Sequence, residues 1–590
     1  MAKKNGGGPA TAESMAQQQR DISVSEFFLK NRHLLGFDSP RRALLTAVKE
    51  AVDNSLDACE EAGLLPELSV DVEQLAENRF RVTVTDNGPG IVRQQIPKIF
   101  AKLLYGSKFH RLRMSRGQQG IGISAAGMYG QLTTGAATRI LSRIKKGKMA
   151  HAIAVQIDTR QNKPAILSDE EVAWRPTFQA VDAAGQPDGE PAVANHGTSV
   201  SIEMEAAYQR GRQSVDEFVK QCAIVNPHLT LHYRLTLLTK AEKEGTTAPA
   251  TPASGLKSQA SAPLTPVSGF RVQGSGFSSQ VSAVTYLRAV KDMPEIPQEI
   301  MPHPHGVELG LLMQMLKDST SRTLRAALAN DFSRMSDRTA REICERAGLN
   351  PKANPTRIAH QESEALYKAI QDTKLMRPPT DCLSPIGEAQ ILAGLQKEIK
   401  ADFYTAVTRE PAVYRGNPFQ IEIGLAYARP QENEGLGNEE PMRVLRFANR
   451  VPLLYQAGAC AITKAVIGVN WKNYSLSQPK DALPLGPVVL LLHMASVWVP
   501  FTSESKDAIA GYAEIIDELT LGLQECGRRL AVFLHKRHRA LEAERKRSYI
   551  ELYIPHLARG LKDILKLSDK EEGKIVHDLK KMLEKTHLDV

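Results

Sequence analysis

No G-x-x-x-x-G-K-[ST] run occurs in this chain of 590 residues, so a P-loop is not available to cradle phosphate. Its six cysteines, at 59, 222, 344, 382, 460 and 526, lie scattered without C-x-x-C spacing. That pattern argues against zinc or a disulfide framework and for reduced thiols in a cytosolic compartment. The longest apolar run, Pro487 to Val499, falls short of the roughly 20 residues that span a bilayer, and the first twenty residues lack the apolar core of a signal peptide. A soluble intracellular protein with no membrane partner is the expectation. Acidic residues are outnumbered, 66 against 75 Lys and Arg, and the formal net charge of +9 favours an anionic partner. Much of the basic excess sits late, in GRRLAVFLHKRHRALEAERKR and LKKMLEKTH.

What the chain does carry is concentrated between Glu50 and Gly127. Asp38-Ser39-Pro40 supplies a capping side chain and a proline suited to a first helical turn, and the helical pattern then runs to Gly63. At about 100° per residue, Leu45, Val48, Val52, Leu56 and Cys59 make one apolar stripe, while Glu50, Asn54, Asp57 and Glu61 share the opposite face. Taken alone, that face is an ordinary solvated one. Residues Phe80 to Asp86 alternate as a half-buried strand that delivers Asp86 on the core-facing parity, where an unpaired carboxylate costs several kcal/mol unless a donor such as a purine amine meets it. Asn87-Gly88-Pro89-Gly90 then makes a tight turn. Downstream, RGQQGIGISAAG exposes backbone N–H groups through Gly117, Gly120, Gly122 and Gly127, and Ser124-Ala125-Ala126 could open a helix whose positive end faces phosphate. Lys108, Arg111, Arg113 and Arg116 add positive charge that could meet a polyphosphate. Each piece alone is weak; in this order and spacing they point to a nucleotide site.

The trio resembles the ATP-binding boxes of the GHKL superfamily of gyrase, the ninety-kilodalton heat-shock chaperone, histidine kinases and mismatch-repair ATPases, with a fourth box in HGTSVSIEM. The resemblance implies a two-layer α/β (Bergerat) ATPase fold with ATP and Mg²⁺ as cofactors. Glu50 would be the general base and Asn54 the Mg²⁺ ligand. Asp57 would support the helix face, and Asp86 would read the adenine amine with Gly88, Gly90 and Thr198 nearby. Ser107 and Lys108 would reach the nucleotide. Gly117, Gln118, Gln119, Gly120, Ile121, Gly122, Ile123 and Ser124 would close over the phosphates.

Further segments, YGSKF, HPHGVELG, PPTDCLSPIGE, FANRVPLLYQ, NWKNY and VWVPFTSESKDAIA, resemble the B subunits of type IIB DNA topoisomerases, the topoisomerase VI family, from about residue 25 to about residue 560. This implies a multi-domain α/β chain with a tail at 1–20, an ATPase domain at 21–237, and a Pro/Ser/Ala/Thr-rich linker at 238–282. A helix–two-turns–helix domain at 283–375, a transducer at 376–547 with a long helix from about Ser505 to Arg547, and a basic helical segment at 548–590 would follow. Lys472 of NWKNY would be the switch lysine reaching the γ-phosphate. The implied partners are an A subunit in an A2B2 heterotetramer, a second copy through the ATPase domains on ATP binding, and double-stranded DNA, in the cytoplasm at the nucleoid. A chaperone or mismatch-repair ATPase and a non-catalytic scaffold are the alternatives.

Overall fold

The computed structural model describes residues 15, 22–23, 26–27, 30–108, 111–117, 120–182, 184–240, 277–433, 435–503 and 505–585. The expected tail apart from residue 15, residues 241–276 of the expected linker, Gln118 and Gln119 lie outside the described residues.

The first unit is built on helix α1 (Pro40–Glu61). Ser39 Oγ accepts from Arg42 N at 3.4 Å, and the helix stops where Gly63 takes a left-handed φ of +67°, so both ends follow the sequence signals. The anticipated stripe of Leu45, Val48, Val52, Leu56 and Cys59 is buried. Strands β1 (Glu67–Ala76) and β2 (Arg79–Asp86) form a hairpin whose alternate residues are buried, as the pattern required. They are followed by α2 (Ile96–Ala101), α3 (Gly122–Thr134), β3 (Thr138–Arg143), β4 (Ala150–Asp158) and β5 (Lys163–Val172). A two-residue ribbon of β6 (Thr177–Phe178) and β7 (Ala192–Val193), then β8 (Gly197–Glu205), α4 (Val215–Val225), β9 (Thr230–Lys240) and β10 (Phe277–Tyr286) complete the unit. The sheet order is β10-β9-β1-β2-β8-β3-β4-β5, and the three larger helices pack on one face as a second layer.

Residues 277–286 correct one expectation. Assigned to the end of the linker and the start of the helical domain, they instead pair antiparallel with β9 from Phe277↔Lys240 to Tyr286↔Leu231. The alternation of QVSAVTY was legible as a strand but was overshadowed by the Pro/Ser/Thr composition before it.

Four short helices, α5 (Leu309–Asp318), α6 (Leu324–Asp331), α7 (Asp337–Arg346) and α8 (His360–Gln371), enclose their own core. Thr323 and Ser336 cap two of them. The last unit comprises α9 (Glu388–Glu398), β11 (Ala401–Thr408), β12 (Ala412–Tyr414), β13 (Asn417–Ala428), β14 (Arg443–Ala448), β15 (Val451–Pro452), α10 (Ala461–Gly468) and β16 (Val488–Ser496). Its sheet order is β11-β13-β16-β14-β15, with β12 on β13. Every residue of β16 is buried because α9 covers one face while α10 and α11 (Ala513–Leu565) cover the other. A final helix, α12 (Asp569–Lys585), folds back on α11.

The long helix was expected from about Ser505 to Arg547 and in fact spans Ala513–Leu565, so the boundary drawn at 547/548 falls inside one continuous helix. Residues 505–511 are a loop, with Lys506 at a left-handed φ of +55°. Among the described residues no helix is long and apolar enough to cross a membrane.

The first and last units meet where α4 packs on α9, and Ile224 and Val225 join the core beneath the second sheet. A Cβ at Gly394 would lie 2.0 Å from the Ile224 carbonyl oxygen, so only glycine permits this approach. Gly394→Ala is expected to destabilise the chain by about 1–3 kcal/mol, read as a lowered thermal unfolding midpoint.

Candidate active site: a nucleotide cavity shared by two units

A cavity of about 650 Å³ lies between α1, the turn after β2, the glycine-rich loop, the start of β8 and two loops of the last unit, at 452–455 and 505–507. The polar face of α1 delivers Glu50, Asn54, Asp57 and Glu61 to one wall, as the helical spacing demands. Ser107, Lys108, Gly117, Gly120, Ile121, Gly122, Ile123, Gly90 and Thr198 also line it.

Asp86 forms the floor. It is 6% exposed and accepts from Ser55 Oγ at 3.0 Å, Gly88 N at 2.9 Å and Thr198 N at 3.1 Å. Burial pushes its carboxyl up to about 6 against the pull of those three donors. Gly88 does not line the cavity; its amide orients Asp86 instead. Gly90 has φ +75°, and a Cβ there would sit 2.2 Å from the Arg143 carbonyl oxygen, so the turn demands glycine. Thr198 Oγ1 lies 3.1 Å from Ser142 Oγ, which fixes the start of β8 against β3.

The glycine-rich loop runs into α3, which begins at Gly122, two residues before the expected opening. Its N-terminus has no side-chain cap among the described residues, so its first N–H groups are left for a ligand. A Cβ at Gly122 would come within 1.6 Å of Glu50 Oε2, which places the positive end of α3 directly on that carboxylate. Ser124 is the exception to the expected set. It is fully buried and its hydroxyl donates to the carbonyls of Ile99 (2.7 Å) and Lys102 (3.1 Å), so it anchors α3 rather than facing the cavity.

The upstream basic residues carry charge that could meet a polyphosphate, and three of them pair with carboxylates of α1. Lys108 Nζ reaches Asp57 at 2.6 Å and Glu61 at 3.1 Å; Arg113 pairs with Glu61 at 2.9 Å. Arg116 binds Asp57 at 2.9 Å, both oxygens of Glu60 at 2.6 and 2.7 Å, and Asn226 Oδ1 at 2.7 Å. Burial alone would raise the Asp57 carboxyl, but Lys108 and Arg116 hold it below its ordinary value. Asp53, missed in the sequence, has no such partners: burial raises its carboxyl to about 7.

The structure does not bring Lys472 to the site. Trp471 is fully buried with Nε1 bonded to the Val466 carbonyl at 2.8 Å, and Tyr474 packs against Gly527 of α11. This ties the turn to the far side of the second sheet, leaving Lys472 exposed and off the cavity lining. Lys506, from SESKDAIA, lines the cavity in its place and donates to the Arg116 carbonyl at 3.1 Å. Its loop is held to α1 by Arg42, which ion-pairs with Asp507 and bonds Ser505 Oγ at 2.9 Å. The resemblance points to Lys472, whereas its neighbours Trp471 and Tyr474 suit the surface lysine that it is; the lysine on the cavity wall sits in the polar loop that follows the fully buried strand β16.

Because Gly122 leaves no room for a side chain beside Glu50, Gly122→Ala is expected to displace that carboxylate. ATP turnover should fall by at least about tenfold while the circular dichroism spectrum stays native.

Residues 378–546 match the family model described as Topoisomerase VI B subunit, transducer, and residues 40–160 match Histidine kinase-, DNA gyrase B-, and HSP90-like ATPase. The chain is 44% identical over 556 residues to the B subunit of type 2 DNA topoisomerase 6 from Methanosarcina barkeri, covering 94% of this chain and 79% of that one. Its identity to the protein of the same name from Archaeoglobus fulgidus is 40% over 563 residues, covering 95% and 82%. To that of Pyrococcus abyssi it is 33% over 626 residues, covering 98% and 97%. Likeness of this degree, sustained through both units that wall the cavity, sets the chaperone, mismatch-repair and scaffold alternatives aside: the chain belongs to the family of type 2 DNA topoisomerase 6 B subunits.

Proposed function

We propose that the chain binds and hydrolyses ATP as the B subunit of a type IIB DNA topoisomerase. In this reading it works with an A subunit in an A2B2 assembly and closes on a second copy of itself when ATP binds. The A subunit makes the transient double-strand break, and the B subunits use the ATP cycle to pass a second duplex through it, relaxing and decatenating DNA. The observation that carries this reading is that one cavity is walled by Glu50 and Asn54 from the first unit and by Lys506 from the last, so occupancy is felt by both.

In this mechanism Asp86 accepts the adenine amine, and the N–H groups at the start of α3 meet the phosphates. Glu50 orients and deprotonates the attacking water, and the nearby α3 terminus stabilises the charge that develops. Among the described residues no cluster of three His, Cys, Asp or Glu could hold a metal alone, whereas the Asn54 amide lines the cavity one turn from Glu50. That donor set suits Mg²⁺ arriving with the triphosphate, held by Asn54 and phosphate oxygens. Mg²⁺ there would spread negative charge off the phosphoryl group. Lys506, rather than Lys472, moves to the γ-phosphate, adding a contact made only with nucleotide present; such a contact biases the relative placement of the two units.

Lys506→Ala is expected to cut ATP turnover at least about tenfold and to change the affinity for a non-hydrolysable analogue by less than about threefold, while Lys472→Ala leaves turnover within about twofold. The opposite pattern would restore Lys472 to the site. Relaxation of supercoiled DNA with the purified A subunit should follow the same ranking.

Titration offers a separate check. The Asp86 carboxyl is raised above its ordinary value, so its proton is held below about pH 6 and must leave before the amine can donate to a carboxylate. ATP affinity should therefore weaken as pH falls through about 6, approaching tenfold per unit below it. A purine triphosphate without the exocyclic amine should lack that added slope.

A further inference from the structure

Arg116 stands immediately before Gly117, the first residue of the glycine-rich loop. Its side chain is 3% exposed and does not line the large cavity, so it is not a phosphate ligand. Its guanidinium instead makes four charge-assisted bonds to Asp57, Glu60 and Asn226, all at 2.9 Å or less. The same residue turns its backbone the other way: its carbonyl accepts Lys506 Nζ, and the Ser115 carbonyl accepts Asn449 Nδ2 at 3.0 Å. One residue thus ties the root of the loop to α1 and presents the oxygen on which the transducer lysine rests.

We propose that Arg116 is a positioning residue for ATP hydrolysis, its side-chain clamp on α1 setting the place of the carbonyl from which Lys506 transfers to the nucleotide. This rests on the reading of Lys506 given above. A residue that merely filled space would not need two carboxylates and an amide around one guanidinium. Lysine can keep the charge but offers a compact ammonium on a flexible stem, not the planar fork that engages Asp57 and both oxygens of Glu60 together. The clamp also explains why the arginine is unavailable to the phosphates while its neighbour Gly117 is on the cavity wall.

The test is a double-mutant cycle on the full-length chain with Arg116→Lys, Lys506→Ala and their combination, measuring kcat and the affinity for a non-hydrolysable ATP analogue. The expectation is that Arg116→Lys lowers kcat at least about tenfold, leaves analogue affinity within about threefold, and makes the combination no worse than the poorer single variant by more than about threefold. Multiplicative losses in the combination, or an unchanged kcat for Arg116→Lys, would overturn the proposal while leaving Lys506 in place. A wild-type kcat for Lys506→Ala would instead remove the reading on which it rests. Should Arg116→Lys fail to fold, Glu60→Gln loosens the same clamp without disturbing Asp57, and its cycle with Lys506→Ala must show the same non-additivity.

Discussion

The concentration of negative charge on one helix governs the rest of the site. Glu50, Asp53, Asp57, Glu60 and Glu61 fall within about three turns of α1, and the ligand to be bound beside them is a polyanion. The fold resolves the conflict selectively. Lys108, Arg113 and Arg116 neutralise Asp57, Glu60 and Glu61, and burial keeps Asp53 protonated over much of the range below neutrality. Glu50 faces the cavity with the positive terminus of α3 beside it. In the proposed reading the site keeps Glu50 for chemistry and uses Asp57, Glu60 and Glu61 to hold the loop.

The same cations make the site a joint between units. The stretch from Arg113 to Gly117 is bound on one side to α1 and on the other to the transducer, with Met114 N donating to the Cys382 carbonyl at 3.0 Å. The last unit has its own buried pair beneath this joint: Glu422 accepts from the Ile386 and Gly387 amides at 2.7 Å and lies 2.8 Å from His493 Nδ1. Strand β16, buried along its whole length, leads into the loop that holds Lys506, so in the proposed reading a movement of that lysine reaches the body of the transducer and α11.

Local chemistry was legible wherever a pattern repeats at helical or strand period. The ends of α1, its two faces, the parity of β2 and the four helices after residue 305 follow from capping residues, glycines and apolar spacing. The candidate site was legible as a set of residue types but not as a set of contacts. Arg113 and Arg116 read as charge that could meet a polyphosphate or as surface basics, because a sequence does not reveal that Glu60, Glu61 and Asp57 lie against them. Lys472 is the switch only by the family resemblance, its own neighbours Trp471 and Tyr474 suiting a surface lysine; those rings hold its turn against α10 and α11, and the lysine that lines the cavity comes from the loop after β16. Ser124 was grouped with the loop because the helix start was placed two residues late.

The account's central claim is that a nucleotide is held by Asp86 and α1 and is sensed by Lys506. A crystal structure with a non-hydrolysable ATP analogue and Mg²⁺ tests it most directly. The account predicts the adenine amine within about 3 Å of the Asp86 carboxylate and Lys506 Nζ moved from the Arg116 carbonyl to a γ-phosphate oxygen at hydrogen-bond distance. An analogue bound with Lys506 still on that carbonyl, or with Lys472 on the phosphate, would contradict it.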